Sequence, residues 1–512
     1  MIARRTFLFL VLAVGLSNRL PAESAPAVAA DPAKVAASLP MADSLVRVNS
    51  TDQPYNFDKP WSKRPPFTRR GIGVVIDGGK ILVSAELIAN HSYVELERPA
   101  SSGKMGADVE RVDYDSNLAI LQPQDPAFLA GTRPIKLAAS VPVGAKVNVV
   151  QLESNGAVAL TPGVVTTVTV SGYPADGIAL LTYKLSTPLQ YRDNSFTMPV
   201  LSGDKLAGLL MRYDTRSQSA DVVPGPVIQN FLTRAARQPY LDFPHAGISF
   251  SPTRDPQFRH YLGLAPGQSG VYLVSVAHGS AAEKAGLKKG DVILRVGDSD
   301  IDEDGNYLHP EYGKIPFSYL ISTAGLPGDK LPIRVLRGSK ETTIDLPLEP
   351  RDPASVVSES AILDRAPRYY VLGGLVFQEL SRSYLREWGA DWRNNAPARL
   401  VYLDEFQDEL PPDQGKIVFL SQVLPADTTL GYEDVDPTVV EKINDRPIHR
   451  LEDIAEAVQH PLKGFHKVEL ESDPGVLYLN ADDVEKSSQD LRDSYGLPAI
   501  QNLDDPATKF AP

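Results

Sequence analysis

From Gly71 onward the chain is built of short apolar runs cut by turn signals. They include Gly73-Val74-Val75-Ile76, Tyr93-Val94-Glu95-Leu96, Leu118-Ala119-Ile120-Leu121, Val147-Asn148-Val149-Val150 and Gly163-Val164-Val165-Thr166. Runs this short cannot be amphipathic helices of ordinary length, and many of them at close spacing predict an all-β barrel or sandwich. The 43 prolines and 37 glycines agree, because both residues punctuate strands and interrupt helices. The block closes on a short helical pattern, Pro226 to Leu232.

A length of 512 residues predicts about three or four domains. A boundary falls near Ala235 to Phe243. In residues 245–349 a strand precedes a helix ending at Leu262-Gly263-Leu264. The strand Val271 to Val276 and the stretch Ala281 to Ile293 follow. A polar linker, Glu349 to Arg365, leads to residues 366–480, with the strand Lys416 to Val423, the turn Asn444-Asp445-Arg446-Pro447 and the helix Leu451 to Val458. The matched order of strand, turn and helix makes these two modules a degenerate repeat. Residues 481–512 read as an acidic tail, poorly ordered or docked.

At the start, Arg4 and Arg5 precede an apolar run from Phe7 to Leu16, the length of a signal-peptide core and short of the roughly 20 residues a membrane span needs. Residues 1–29 are therefore expected to be a signal peptide cleaved near Ala27-Val28-Ala29, or at Ala22-Glu23-Ser24, and the protein to be exported to a periplasm or the extracellular envelope. An uncleaved interfacial anchor is the alternative. Residues 30–70 read as a flexible leader followed by an aromatic arm with Phe57, Trp61 and Phe67. The net charge is −13, and loss of three Arg and one Glu with residues 1–29 takes it to about −15, which argues against nucleic acid as a partner. Absence of Cys excludes disulfides, thiolate chemistry and Cys-ligated metal. Neither a phosphate loop nor a His-rich metal constellation is present, so no cofactor is expected.

Several segments carry a family resemblance: Gly71 to Ile76, Ile81-Leu82-Val83-Ser84-Ala85-Glu86-Leu87-Ile88, Ser116-Asn117-Leu118-Ala119-Ile120-Leu121 and Asn194-Ser195. Over residues 71–235 the chain resembles the trypsin-like domain of HtrA/Deg serine proteases. Ala285-Gly286-Leu287-Lys288-Lys289-Gly290-Asp291-Val292-Ile293 follows a pattern of PDZ domains. Phe317-Ser318-Tyr319-Leu320, Pro367-Arg368-Tyr369-Tyr370 and Ser421-Gln422-Val423-Leu424 resemble the plant-type Deg branch with two PDZ modules. The implied fold is mainly β: a chymotrypsin-like double β-barrel followed by two PDZ (α+β) domains.

The resemblance also locates a degenerate catalytic site. Active members carry His where this chain has Glu86 and Asp where it has Asn117, and only Ser195 matches the nucleophile. A serine without a base to take its proton, and a third group to orient that base, is inert. His91 lies five residues beyond Glu86, on the wrong side of a helix, and Asp115 would need a shifted loop. Around Ser195 the glycines that turn N–H groups into an oxyanion hole give way to Asp193, Phe196 and Thr197. These substitutions predict a pseudoprotease that binds polypeptides or protein C-termini, as a scaffold, adaptor or quality-control factor. The alternative is an active serine endopeptidase in which Glu86 serves Ser195 as an unconventional base.

For peptide binding, the resemblance implies a carboxylate loop at Ala246-Gly247 before the strand Ile248-Ser249-Phe250, with Phe317, Tyr319 and Leu320 on the opposite helix. Gly373 to Phe377 marks a second such loop, read as more structural. Asp300, Asp302, Asp304 and Glu311 fit the expression for a calcium loop, although Leu308 and Pro310 spoil it and an acidic turn explains it as well. The aromatic arm is expected to drive homo-oligomerisation, with a trimer favoured, or else to pack on its own barrel.

Overall fold

The computed structural model describes residues 42–99, 103–153, 156–175, 177–190, 195–411 and 414–504, with residues 195 and 196 described as backbone only. Six strands close the first barrel: β1 (Leu45–Asp52), β2 (Phe67–Ile76), β3 (Lys80–Val83), β4 (His91–Glu97), β5 (Lys104–Asp113) and β6 (Leu118–Pro123). The order β1-β4-β5-β6-β3-β2 returns to β1, which pairs with both β2 and β4. Residues 45–52, expected in the flexible leader, are thus a barrel strand. Val46 and Val48 point into a core with Val75, Ile81, Val83 and Leu96. The alternation was hidden because the same inward row continues with Ser50 and Asp52, polar residues that are fully buried. Gly73 allows the barrel to close tightly, since a Cβ there would come within 2.4 Å of the Ile81 side chain.

The second barrel uses β7 (Lys146–Leu152), β8 (Val158–Gly172), β9 (Ala179–Ser186), β11 (Met198–Ser202), β12 (Lys205–Asp214) and β13 (Ser219–Pro224). Helix α2 (Gly225–Ala235) covers it, burying Val227, Ile228 and Phe231; the shorter helix α1 (Ala85–Ile88) follows β3 in the first barrel. The two-residue strand β10 (Ser195–Phe196) joins neither barrel wall of its own half. It pairs in parallel with β2.

The second module's sheet runs β14 (Ile248–Ser251), β15 (Val271–Val276), β16 (Val292–Val296), β20 (Lys330–Arg337), β21 (Lys340–Pro347), with the two-residue β17 (Ser299–Asp300) on β16 and the hairpin β18 (Asn306–His309) and β19 (Gly313–Pro316) apart. Its helices are α3 (Pro256–Tyr261), α4 (Ala281–Ala285) and α5 (Ser318–Ser322). β14 ends the sheet, and among the described residues its outer edge carries no strand.

The third module repeats the pattern with one change. Its sheet adds β22 (Tyr369–Leu372) outside β23 (Leu375–Glu379), so the strand that matches β14 is paired on both edges. Helices α6 (Arg382–Leu385), α7 (Trp392–Asn395) and α8 (Ala398–Glu405) are inserted before β24 (Val418–Val423). The sheet continues through β25 (Thr438–Ile443) with the short β26 (Arg446–Pro447), and helix α9 (Leu451–Ala457) precedes β27 (Phe465–Leu470) and β28 (Val476–Asn480). The acidic end is docked: α10 (Ala481–Tyr495) buries Val484 and Leu491, two turns apart on one face, and β29 (Gln501–Asn502) pairs with β22. The module therefore extends past residue 480, the boundary expected from composition.

Before it enters β2 at Phe67, the aromatic arm docks on this module through Phe57 and Trp61. Phe57 is buried with Leu380, Tyr384, Leu385 and Trp392, and Gln378 donates to its carbonyl at 3.0 Å. Trp61 meets the Tyr369 ring edge-on at 5.9 Å and donates its indole N–H to the Tyr495 carbonyl at 3.1 Å. Of the three aromatics named from sequence, only Phe67 stays exposed.

Candidate functional site

Helix α1 follows β3 directly and presents Glu86 at its first turn, half-buried. Asn117 sits in the turn between β5 and β6 with φ of 54°, a left-handed conformation that Asn tolerates better than most residues. That turn aims the side-chain amide at α1. Its Oδ1 accepts from the Glu86 N–H at 2.9 Å and its Nδ2 donates to Glu86 Oε2 at 3.2 Å. The Asn117 carbonyl accepts from the Ala85 N–H at 3.1 Å. The two residues expected to replace a catalytic pair are thus brought together and bonded to each other. Burial pushes the Glu86 carboxyl above its ordinary range, against the opposing pull of Arg69 and the Asn117 amide.

Arg69 crosses the same region. It donates to the Glu86 carbonyl and lies 3.1 Å from the Asp52 carboxylate, which also accepts from Ser50. Burial raises the Asp52 carboxyl despite these partners. His91 stands opposite Asp52 on β4, with its Nδ1 2.8 Å from the Ile88 carbonyl.

The backbone of Ser195 is zipped to a strand. Ser195 pairs with Arg70 and Phe196 with Gly71, and the Thr197 carbonyl accepts from the Ile72 N–H at 3.1 Å. Thr197 is buried with φ of 50°, and its Oγ1 lies 2.9 Å from the Ser84 nitrogen and 2.5 Å from Ser84 Oγ. Asp193 and Asn194 lie outside the described residues.

Three contacts at this end had no sequence signal. The reciprocal pair Asn90–Asp364 joins α1's exit to the linker before the third module, at 2.6 and 2.9 Å, and Tyr114 also donates to Asp364. On the other side of the same turn, Arg234 reaches from α2 to Asp113 at 2.8 Å, with both side chains about 1% exposed. Asp113 in turn accepts from the Ser116 N–H at 2.9 Å, next to Asn117. The turn is held by groups 121 and 250 residues away in the chain, which no local pattern announces.

In the second module, the edge strand β14 meets the start of α5. Gly247 has φ of 73°, and a Cβ on it would meet Ser280 at 2.3 Å, so only glycine fits the turn leading into β14. The carbonyls of Ala246 and Gly247 face inward, accepting from Ala282 and Ala277 at 3.1 and 2.8 Å. Ile248 and Ser251 are half-buried while Ser249 and Phe250 are exposed, and the Phe250 ring lies 5.2 Å from Phe317 at the start of α5. Tyr319 and Leu320 are half-buried on that helix. Beyond it, Thr323 accepts from the Leu181 N–H of β9 at 3.1 Å, fixing the helix end to the second barrel. The corresponding place in the third module is filled by the chain itself: Tyr370 and Leu372 of β22 share a core with Leu451 and Ile454 of α9.

The acidic loop is not a cage. Asp300 pairs with Arg295 at 2.7 Å, Asp302 with Lys314 at 3.0 Å and Asp304 with Arg254. Glu311 stands on the β18–β19 turn, and among the described residues no three acids or histidines cluster as metal ligands. No helix among them is long and apolar enough to cross a membrane.

PDZ-domain family models match residues 244–348 and 358–503. Protease Do-like 2, chloroplastic, of Arabidopsis thaliana is 27% identical to this chain, over 93% of this chain and 77% of its own length. Protease Do-like 4, mitochondrial, of the same plant is 25% identical, over 85% of this chain and 80% of its own. The solved serine endoprotease from Yersinia pestis aligns with a TM-score of 0.41 at 15% identity, over 64% of this chain and 100% of its own. The relatives' names correct the expectation of export, since they are mitochondrial or chloroplastic rather than periplasmic or extracellular. Residues 1–22 hold Arg4, Arg5 and Arg19 and no acid, a composition that organelle-targeting leaders share with secretory ones, and they lie outside the described residues. Two PDZ domains behind a double β-barrel, with Do-like proteases as relatives over most of the length, make this chain a member of the HtrA/Deg family.

Proposed function

We propose that this HtrA/Deg protein is a pseudoprotease that works by holding polypeptide C-termini in its first PDZ domain. The observation that carries the reading is the mutual bonding of Glu86 and Asn117, at 2.9 and 3.2 Å. A carboxylate bonded to an amide occupies the place where an imidazole and its orienting carboxylate would work together. The β10 pairing points the same way, because backbone groups committed to a strand are not free to turn toward an oxyanion. Peptide binding falls to the first PDZ domain, since its β14 edge is open whereas β23 is already paired on both sides.

One observation favours the enzyme reading instead. Burial raises the Glu86 carboxyl, the direction a carboxylate base requires. A fluorophosphonate probe separates the two. The wild-type chain is expected to remain unlabelled and to leave casein intact, as is Glu86→His/Asn117→Asp, because the loop at Asp193, Phe196 and Thr197 lacks the oxyanion glycines. Labelling of the wild type that disappears in Ser195→Ala would establish the enzyme and end the pseudoprotease reading.

A further inference from the structure

The edge strand of the first PDZ domain, β14, leads to an acid. The Thr253 hydroxyl donates to the Gly270 carbonyl at 2.6 Å, and the Thr253 N–H donates to the Glu303 carbonyl at 2.9 Å. Among the described residues the outer edge of β14 carries no strand at Ile248–Ser251, and Glu303 stands beside the chain two residues past the end of that strand. The loop holding Glu303 packs against Phe250 of β14 and the start of α5. A Cβ on Gly305 would come within 2.7 Å of the Phe250 ring, and the Phe317 N–H donates to the Gly305 carbonyl at 2.9 Å.

A peptide that adds antiparallel to β14, with its terminal carboxylate at Gly247, runs its earlier residues toward this loop. At roughly 3.3 Å per residue, the span from Ile248 to Thr253 takes up about five peptide residues. The side chain that then meets Glu303 belongs to a residue about four to six positions before the C-terminus.

The charges there do not cancel. Lys314 answers Asp302 and Arg254 answers Asp304. Glu303 is exposed; it feels the charges of Arg254 and Lys314, but both of those cations make their ion pairs with its neighbours Asp304 and Asp302. Resting on the peptide-binding reading above, we propose that this edge selects polypeptide C-termini carrying Lys or Arg about four to six positions before the last residue, with Glu303 as the acceptor. A net charge of −13 on the whole chain would also steer such basic segments toward the protein.

The test uses the full chain and two fluorescent decapeptides with the same three hydrophobic C-terminal residues. One carries Lys and the other Gln at the fourth to sixth positions before the end. An exposed ion pair of this kind changes affinity about two- to fivefold. The Lys peptide is expected to bind tighter by that factor at low salt, and the difference should vanish in high salt and in Glu303→Gln. That variant keeps the backbone carbonyl that accepts from Thr253, so its fold should be unaffected. Equal affinities in the wild type, or a preference that survives Glu303→Gln, would overturn the role of Glu303 and leave peptide binding standing. Failure of both peptides to bind would overturn the peptide-binding reading and this one together.

Discussion

Arg234→Met removes a cation that is about 1% exposed and all three of whose guanidinium nitrogens donate. Nε donates to Asn230 Oδ1 at 2.8 Å, Nη1 to the Tyr240 hydroxyl at 2.7 Å and the Leu241 carbonyl at 2.8 Å, and Nη2 to Asp113 at 2.8 Å. The guanidinium also lies 3.7 Å from the centre of the Phe243 ring. Met fills much of the volume, so the cost is mainly electrostatic. Asp113 is left buried with only its bonds from Ser116 and Tyr240. Breaking a buried pair from one side costs about 3–5 kcal/mol. For a barrel unit of this size, each kcal/mol lowers the midpoint by about 2–4 °C. A fall of about 6–20 °C in the barrel transition is therefore expected, read by calorimetry because several domains can unfold separately. Arg234→Met/Asp113→Asn should recover part of the loss, since no unpaired charge remains. A single-variant loss below about 1 kcal/mol, or a double variant no better than the single, would refute the claim that this ion pair anchors the turn carrying Asn117.

Acidity should act through the same cluster. Burial and the charge of Asp113 push Asp115 up to about 7, and burial with Asp113 pushes Asp242 up to about 6. Both folded-state values exceed the unfolded value of about 4, so the folded state holds more protons between them. Their stabilising contribution is complete below about pH 4 and is lost as pH rises through about 6 to 7. The barrel transition should fall across that window, and Asp115→Asn should flatten the fall; an upward trend removed by Asp115→Asn would contradict the sign. Phe57→Ala/Trp61→Ala should free the third module, raising the radius of gyration in small-angle scattering without changing the mass by light scattering. A loss of mass would return the arm to a role in assembly.

What could be read from the sequence alone was what depends on near neighbours. Val147–Val150 and Val271–Val276 alternate or run apolar between turns, and both lie in strands β7 and β15. Glu86 and Asn117 were visible as residue types in a recognisable frame, because the frame is a local pattern. Leu45–Asp52 escaped this reading, since its inward row ends in Ser50 and Asp52, whose burial depends on Arg69 from another strand. Nothing near Arg234 in the sequence marks it as buried, because its partner Asp113 lies 121 residues away. The two PDZ modules make the same point: β14 and β23 carry similar signals, yet one edge is open and the other is covered by β22. Backbone preference and side-chain periodicity act over a few residues and are written in order along the chain. Which edge is paired, which charge is neutralised and where an aromatic arm docks depend on groups hundreds of residues apart, and only the folded chain brings those together.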